Sequence, residues 1–129
     1  EKLIPKFILQ LYNNEKCTIH GQGLTERSFL YISDVVDAFD LILHKGEIGE
    51  IYNIGTRHEY SVMDITKRLV KEIKKNDEIN ENIIYVEDRK YNDKRYSISF
   101  NKLLSLGWEQ KIFIDEGLEK TIDYYIRAL

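Results

Sequence analysis

The sequence has a single cysteine, Cys17, so no disulfide can close within the chain, and the composition suits a reducing compartment, the cytosol. No apolar run approaches the roughly 18 residues that a membrane span requires. The opening residues EKLIPKFILQ are amphipathic and lack a cleavage site, so they are not a signal peptide. A basic excess is missing as well. Nineteen Lys and Arg against 22 Asp and Glu give a net charge of −3, whereas nucleic-acid binding through counterion release usually needs the opposite balance. His20, His44 and His58 are scattered and Cys17 stands alone, which leaves no metal-ligand spacing. Nucleophile elbow, Walker loop and Gly-x-Gly-x-x-Gly are all absent. There is no initial Met, and a helix is already under way at the start, as expected for a piece of something longer. What the chain does have is 129 residues with 43% hydrophobic and 32% charged side chains. That is enough for one domain, and the apolar residues fall in periodic runs that argue against disorder.

Lys2 to Tyr12 places Leu3, Ile4, Phe7, Ile8 and Leu11 at helical spacing. Pro5 fits there only because the first turn does not use its missing N–H. Asn13-Asn14 ends that helix. Cys17 to His20 predicts a short strand stopped by Gly21-Gln22-Gly23, and Ser28 to Ile32 predicts a second. Ser33 is placed to cap a helix with Asp34 and Asp37 in its first turn. The apolar face of that helix is Val35, Ala38, Phe39, Ile42 and Leu43, closed by His44, Lys45 and Gly46. Glu50 to Ile54 predicts a strand ending in Gly55-Thr56. Ser61 followed by Asp64 resembles a capping box that opens a helix buried along Ile65, Leu69 and Ile73. Lys74 to Asn82 reads as a polar loop, Ile83 to Val86 as a short buried strand, and EDRKYNDKRY as a loop. A short helix from Asn101 to Leu106 stops at Gly107, after which Trp108 tucks down. A last helix from about Asp115 aligns Leu118, Ile122, Tyr125 and Leu129. Helices alternating with short strands define a mixed α/β class.

Gly21-x-Gly23 is too short a signal for a phosphate loop and reads as a plain turn. Three polar positions say more. Arg27 leads into the apolar FLYI directly after that turn, where a guanidinium must snorkel, pair with a carboxylate or hold an anion. Asn53 lies near the C-terminal end of a predicted strand, where open α/β sheets place ligands. Arg89 and Arg95 bracket a loop with Tyr91, Asn92 and Tyr96, a mixture suited to phosphate or sugar. Plainer readings stay open: Arg27 paired with Glu26 or Asp34, Asn53 bonded to backbone, and residues 87–96 a solvated surface.

Read in order, EKLIPKFI, IHGQGLTERSFLYISDVVDAF, LHKGEIGEIYNIGT, VEDRKYNDKRY, KLLSLGW and EGLEKTIDYY resemble the C-terminal part of nucleotide-sugar 4,6-dehydratases. These are the dTDP-glucose and UDP-glucose enzymes of the extended short-chain dehydrogenase/reductase family, and the resemblance covers essentially the whole chain. The family's glycine-rich fingerprint and its Tyr-x-x-x-Lys pair are absent. The resemblance therefore implies that residues 1–129 form a single C-terminal substrate-binding region of a longer enzyme. NAD, its Rossmann domain and the catalytic residues would lie upstream.

Residue by residue, the resemblance implies that Lys2 and Leu3 approach the substrate phosphates and sugar, and that Thr18 and His20 line the nucleobase pocket. It assigns Arg27 and Arg89 to the diphosphate and Asn53, in YNIGT, to the nucleotide pocket. Asn92 stands where bacterial dTDP-glucose enzymes often carry His, and Lys90 replaces a usual Pro. The implied reaction is oxidation at C4 by NAD, loss of water across C5–C6, and hydride return to C6. The implied partners are dTDP-glucose or UDP-glucose and a second copy of the parent in a homodimer, with no nucleic acid and no membrane. Guanidinium forks suit this role, because charge-assisted hydrogen bonds to phosphate are stronger than neutral ones. A UDP-sugar 4-epimerase or decarboxylase of the same superfamily would share the scaffold and Arg27. A non-catalytic interaction module would keep the scaffold without needing Arg27, Asn53 and Arg89 together.

Overall fold

The first helix, α1 (Leu3–Tyr12), buries Phe7, Ile8 and Leu11 and carries Pro5 in its first turn, as its spacing predicts. It ends where Asn13 N–H reaches the Leu9 carbonyl and Asn14 turns to a φ of 60°. The computed structural model describes residues 2–91 and 98–127, a mixed α/β arrangement of five α-helices and four short strands among those residues. Strand β1 (Cys17–His20) follows α1, then β2 (Glu26–Ser28), α2 (Ile32–Lys45), β3 (Glu59–Ser61) and α3 (Val62–Lys74). A 3₁₀ turn at Ile79–Glu81 leads into β4 (Ile83–Val86), and α4 (Asn101–Ser105) and α5 (Ile114–Arg127) complete the order.

The strands form two separate pairs. β1 and β4 are parallel, with Thr18 opposite Ile84 and His20 opposite Val86. β2 and β3 are antiparallel, with Arg27 opposite Tyr60. The main core joins α1, β1, α3, β4 and α5 through Phe7, Leu11, Ile19, Leu69, Ile83 and Leu118. A second cluster places Ala38, Leu103 and Trp108 together with Leu30, Ile42 and Ile54 around them. Helix α3 opens as its capping signal predicts: Ser61 Oγ accepts from the Asp64 N–H at 3.0 Å. Arg68 then ties α3 to α5 by bonding both Asp64 and Asp115 while lying over the Tyr60 ring. Gly107, at a φ of 99°, ends the helical turn after α4, a conformation that a side chain would strain.

Four expectations are corrected. The strand expected at Ser28 to Ile32 lies earlier, at Glu26–Ser28, where its partner among the described residues is the three-residue β3. The Asp34 and Val35 N–H groups bond to the Tyr31 carbonyl, so the helix begins at Ile32 and Tyr31, not Ser33, occupies the N-cap. Phe39 and Leu43 do not face inward. They are 61% and 80% exposed and align with Ile32 and Val36, while Val35, Ala38 and Ile42 turn toward the protein. Glu50 to Ile54 pairs with no strand among the described residues, so periodicity alone predicted a strand there that lacks a ladder partner. Leu129, the last residue of the predicted stripe on α5, lies outside the described residues.

Candidate functional site

The parallel pair β1–β4 brings several of the sequence candidates to one end of the fold. Cys17 and Ile19 are fully buried, so the alternation sends Thr18 and His20 to the opposite face. Both strands end together: the Gly21 N–H bonds to the Val86 carbonyl at 3.0 Å. Gly21, at a φ of 59°, packs so tightly on the next segment that a Cβ there would lie 2.9 Å from an Asp88 carboxylate oxygen. His20 Nδ1 comes within 3.4 Å of the Glu87 carbonyl, and Asp88 Oδ1 accepts from the Arg89 N–H at 2.8 Å. His20 thus lies at the carboxyl end of the parallel pair with Arg89 three residues past the end of β4, the usual place for a ligand in an α/β protein, and Thr18 sits one pleat earlier on the same face as His20. The Thr18 hydroxyl oxygen is shielded from solvent and has no hydrogen-bond partner among the described residues. Cys17 is inert: burial pushes its thiol up to about 12, and the nearest acceptor is the Phe7 carbonyl, 3.9 Å from Sγ.

Arg27 stands on the other strand pair, linked to the first by the Gly21–Thr25 turn. That turn is held to the start of α3 by the Met63 N–H on the Gly23 carbonyl and the Val62 N–H on the Thr25 carbonyl. Half-buried, Arg27 donates from Nη1 to the Glu26 carbonyl at 2.8 Å and lines a cavity of about 390 Å³. Ser28, Leu30, Val35, Ile54, Gly55, Thr56 and Ile98 also line the cavity. The suggested Arg27–Asp34 pair does not form. Asp34, only 1% exposed, accepts from the Lys111 and Ile112 N–H groups at 3.1 and 2.9 Å, and its carbonyl accepts from Trp108 Nε1.

The remaining candidates are placed less directly. Asn53 is exposed and precedes the Ile54–Thr56 wall without lining the cavity. Lys2 is exposed and Leu3 is half-buried against the main core. Ile4, the next residue, shares a small space with Phe29, Leu30 and Tyr31, which puts the start of α1 on the Arg27 side of the fold. Asn92, Arg95 and Tyr96 lie outside the described residues. Sequence reasoning missed Asp34 as an interior anchor, along with Thr56 and Gln110. Thr56 Oγ1 donates to Gln110 Oε1 at 2.5 Å and accepts from the His58 N–H at 3.2 Å, while Gln110 Nε2 reaches the Ile112 carbonyl. Only the aromatic signal of Trp108 hinted at that strap, since Asp34 and Gln110 are 76 positions apart and neither sits in a motif.

A half-buried guanidinium thus lines a cavity, and a second arginine follows the carboxyl end of the parallel pair, with a glycine turn joining the two strand pairs of an α/β scaffold. The chain belongs to the GDP-mannose 4,6-dehydratase family, whose model matches residues 1–121. It is similar to a dTDP-D-glucose 4,6-dehydratase of Mus musculus, at 50% identity over 128 residues, which is 97% of this chain and 36% of the mouse protein. The structure of dTDP-glucose 4,6-dehydratase from Bacillus anthracis in complex with NAD matches with a TM-score of 0.87 and 31% identity, covering 98% of this chain and 39% of that one. UDP-glucose 4-epimerase from Thermotoga maritima, solved with UDP-glucose, matches with a TM-score of 0.87 and 31% identity, covering 98% and 40%. The fold is therefore that of extended short-chain dehydrogenase/reductase sugar enzymes, and the chain spans little more than a third of the mouse relative.

NAD does not fit the residues described. The Gly21-Gln22-Gly23 turn follows a strand but leads into β2 instead of a helix, so no helix N-terminus is offered to a pyrophosphate. No helix of the described residues is long and apolar enough to cross a membrane.

Proposed function

We propose that this chain is the nucleotide-sugar-gripping part of an NAD-dependent 4,6-dehydratase, a lyase that converts dTDP-glucose or UDP-glucose to the 4-keto-6-deoxy sugar. Its role is to hold the non-reacting nucleotide diphosphate, so that binding energy fixes the hexose for chemistry performed elsewhere in the protein. The observation that carries this reading is Arg27, half-buried in the lining of a cavity that Ile54–Thr56, the segment following Asn53, also lines. Arg89 serves the same diphosphate, Thr18 and His20 the base, Asn53 and Asn92 the nucleotide, and Lys2 and Leu3 the phosphates and sugar. Residues 1–129 act as one substrate-binding region. NAD and the catalytic residues belong to the remainder of a cytoplasmic, homodimeric enzyme. The outward row Ile32, Val36, Phe39 and Leu43 on α2, together with Glu50–Ile54, which pairs with no strand among the described residues, supports a further domain against this chain. The 4-epimerase reading shares the scaffold and is supported by the likeness to solved 4-epimerases, the T. maritima enzyme among them.

The test is titration of the full-length enzyme with dTDP and UDP by calorimetry. Arg27→Ala and Arg89→Ala should each weaken binding by about 1.5–3 kcal/mol, the range of a charged hydrogen bond. The double variant should lose less than the sum, because both groups face one diphosphate. Unchanged nucleotide affinity in a folded Arg27→Ala enzyme would refute the reading. Turnover of dTDP- or UDP-glucose, compared with 4-epimerisation, separates the two enzyme readings.

A further inference from the structure

Two cavities meet at Thr56. On one side lies the Arg27 cavity of about 390 Å³, and on the other a shallower one of about 240 Å³ lined by His58, Phe100, Trp108 and Phe113. Thr56 is 7% exposed and belongs to both linings, so its side chain stands in the partition between them. Gln110 belongs only to the second lining. Its amide is used at both ends: Oε1 accepts the Thr56 hydroxyl at 2.5 Å, and Nε2 donates to the Ile112 carbonyl at 3.0 Å. The Ile112 N–H in turn is held by the buried Asp34 carboxylate at 2.9 Å. An unbroken chain of hydrogen bonds therefore runs from the first turn of α2 through the 110–112 strap to Thr56. Gly55 and Ile54, the adjoining residues of the Arg27 cavity wall, pair with no strand among the described residues. A wall without a β-ladder needs another restraint, and this amide supplies one.

We propose that Gln110 is a positioning residue for the nucleotide site: by holding Thr56, it fixes the Ile54–Thr56 wall at the distance from Arg27 that a diphosphate requires. Gln110 itself lies behind the wall. The inference rests on the proposed reading that the Arg27 cavity receives the nucleotide diphosphate. It adds a residue that sets affinity from outside the cavity, on the principle that a binding group is only as well placed as the groups supporting it.

The experiment measures dTDP and UDP affinity by calorimetry, and kcat and KM for the nucleotide sugar, in the full-length enzyme. The variants are Gln110→Ala, Thr56→Val and Thr56→Ser, together with Arg27→Ala. Gln110→Ala and Thr56→Val should each weaken nucleotide binding about three- to tenfold, as loss of one neutral hydrogen bond does. KM should rise by the same factor with kcat unchanged, and the double variant should be no worse than either single one, since both remove the same bond. Thr56→Ser keeps the hydroxyl that donates to Gln110 Oε1 and should bind within about twofold of wild type, a rescue that the size of the Thr56 side chain alone would not give. If Gln110→Ala misfolds, Thr56→Val and Thr56→Ser still decide the question, because the first keeps the side-chain volume and the second keeps the hydroxyl. Wild-type affinity in Thr56→Val, or failure of Thr56→Ser to retain binding, overturns the positioning role when Arg27→Ala is impaired. If Arg27→Ala also binds normally, the nucleotide reading of the cavity fails, and this inference falls with it.

Discussion

Replacing Asp34 should release the segment that closes the second core cluster. The carboxylate is 1% exposed, and its two oxygens accept separately from the Lys111 and Ile112 N–H groups at 3.1 and 2.9 Å. Asp34→Ala deletes both acceptors and leaves two main-chain donors without their partner. Each hydrogen bond to a charged group contributes about 1.5–3 kcal/mol. Relief of the carboxylate's own desolvation offsets part of the sum, which brings the expected loss to about 2–4 kcal/mol. Asp34→Asn keeps one oxygen and turns an NH₂ toward the other donor, so about 1–3 kcal/mol should be lost. The Trp108 Nε1 bond runs to the Asp34 main-chain carbonyl and survives both changes, which confines the effect to the side chain. Urea unfolding of the full-length protein reads the magnitude, and hydrogen exchange at the Lys111 and Ile112 amides reads the place. A loss below about 0.5 kcal/mol in Asp34→Ala, the scatter of ordinary surface changes, would refute the anchoring role. Unchanged exchange at those two amides would do the same.

Three further outcomes follow from individual contacts. Thr18→Val removes a shielded hydroxyl that has no partner among the described residues, so stability should hold or rise by up to about 1 kcal/mol; a loss of more than that on urea unfolding would mean the hydroxyl is satisfied after all. Ser61→Ala deletes the acceptor for the Asp64 N–H and should cost about 1 kcal/mol, whereas Ser61→Asp, which restores a cap, should recover most of it. Cys17 should resist iodoacetamide at pH 8 in the native protein and react once unfolded, because burial raises its thiol from 9.0 to about 12. The folded thiol keeps its proton while the unfolded one loses it, so the Cys17 contribution to stability is complete below pH 9 and is lost as pH rises toward 12. Cys17→Ala should remove that part of the alkaline slope.

What the sequence determined by itself is the part of the protein governed by local chemistry and short periods. Phe7, Ile8 and Leu11 recur at helical spacing, and they are the buried face of α1. Ser61 and Asp64 carry their cap in four consecutive residues, and the alternation of Cys17 to His20 puts Thr18 and His20 on one shared face, which the burial of Cys17 and Ile19 turns away from the core. Arg27, following a glycine turn and entering an apolar stretch, was conspicuous as a cation in the wrong surroundings, and it lines a cavity. The family was legible for a different reason: six short words in fixed order carry information that no single word does. Only the tertiary structure could decide what depends on partners distant in the chain. Asp34 looked like an ordinary acidic residue in a first helical turn until Lys111 and Ile112 supplied its donors. Phe39 and Leu43 fit an inward stripe by spacing, yet α2 turns on Ala38 and Ile42 because Leu103 and Trp108 pack there. Glu50 to Ile54 has strand composition without a strand, since a ladder needs a neighbour that a local pattern cannot provide. The bond between Thr56 and Gln110 spans 54 positions, and hydrogen bonds at that separation leave no periodic trace in the sequence, because they are set by where the packed elements bring the chain back.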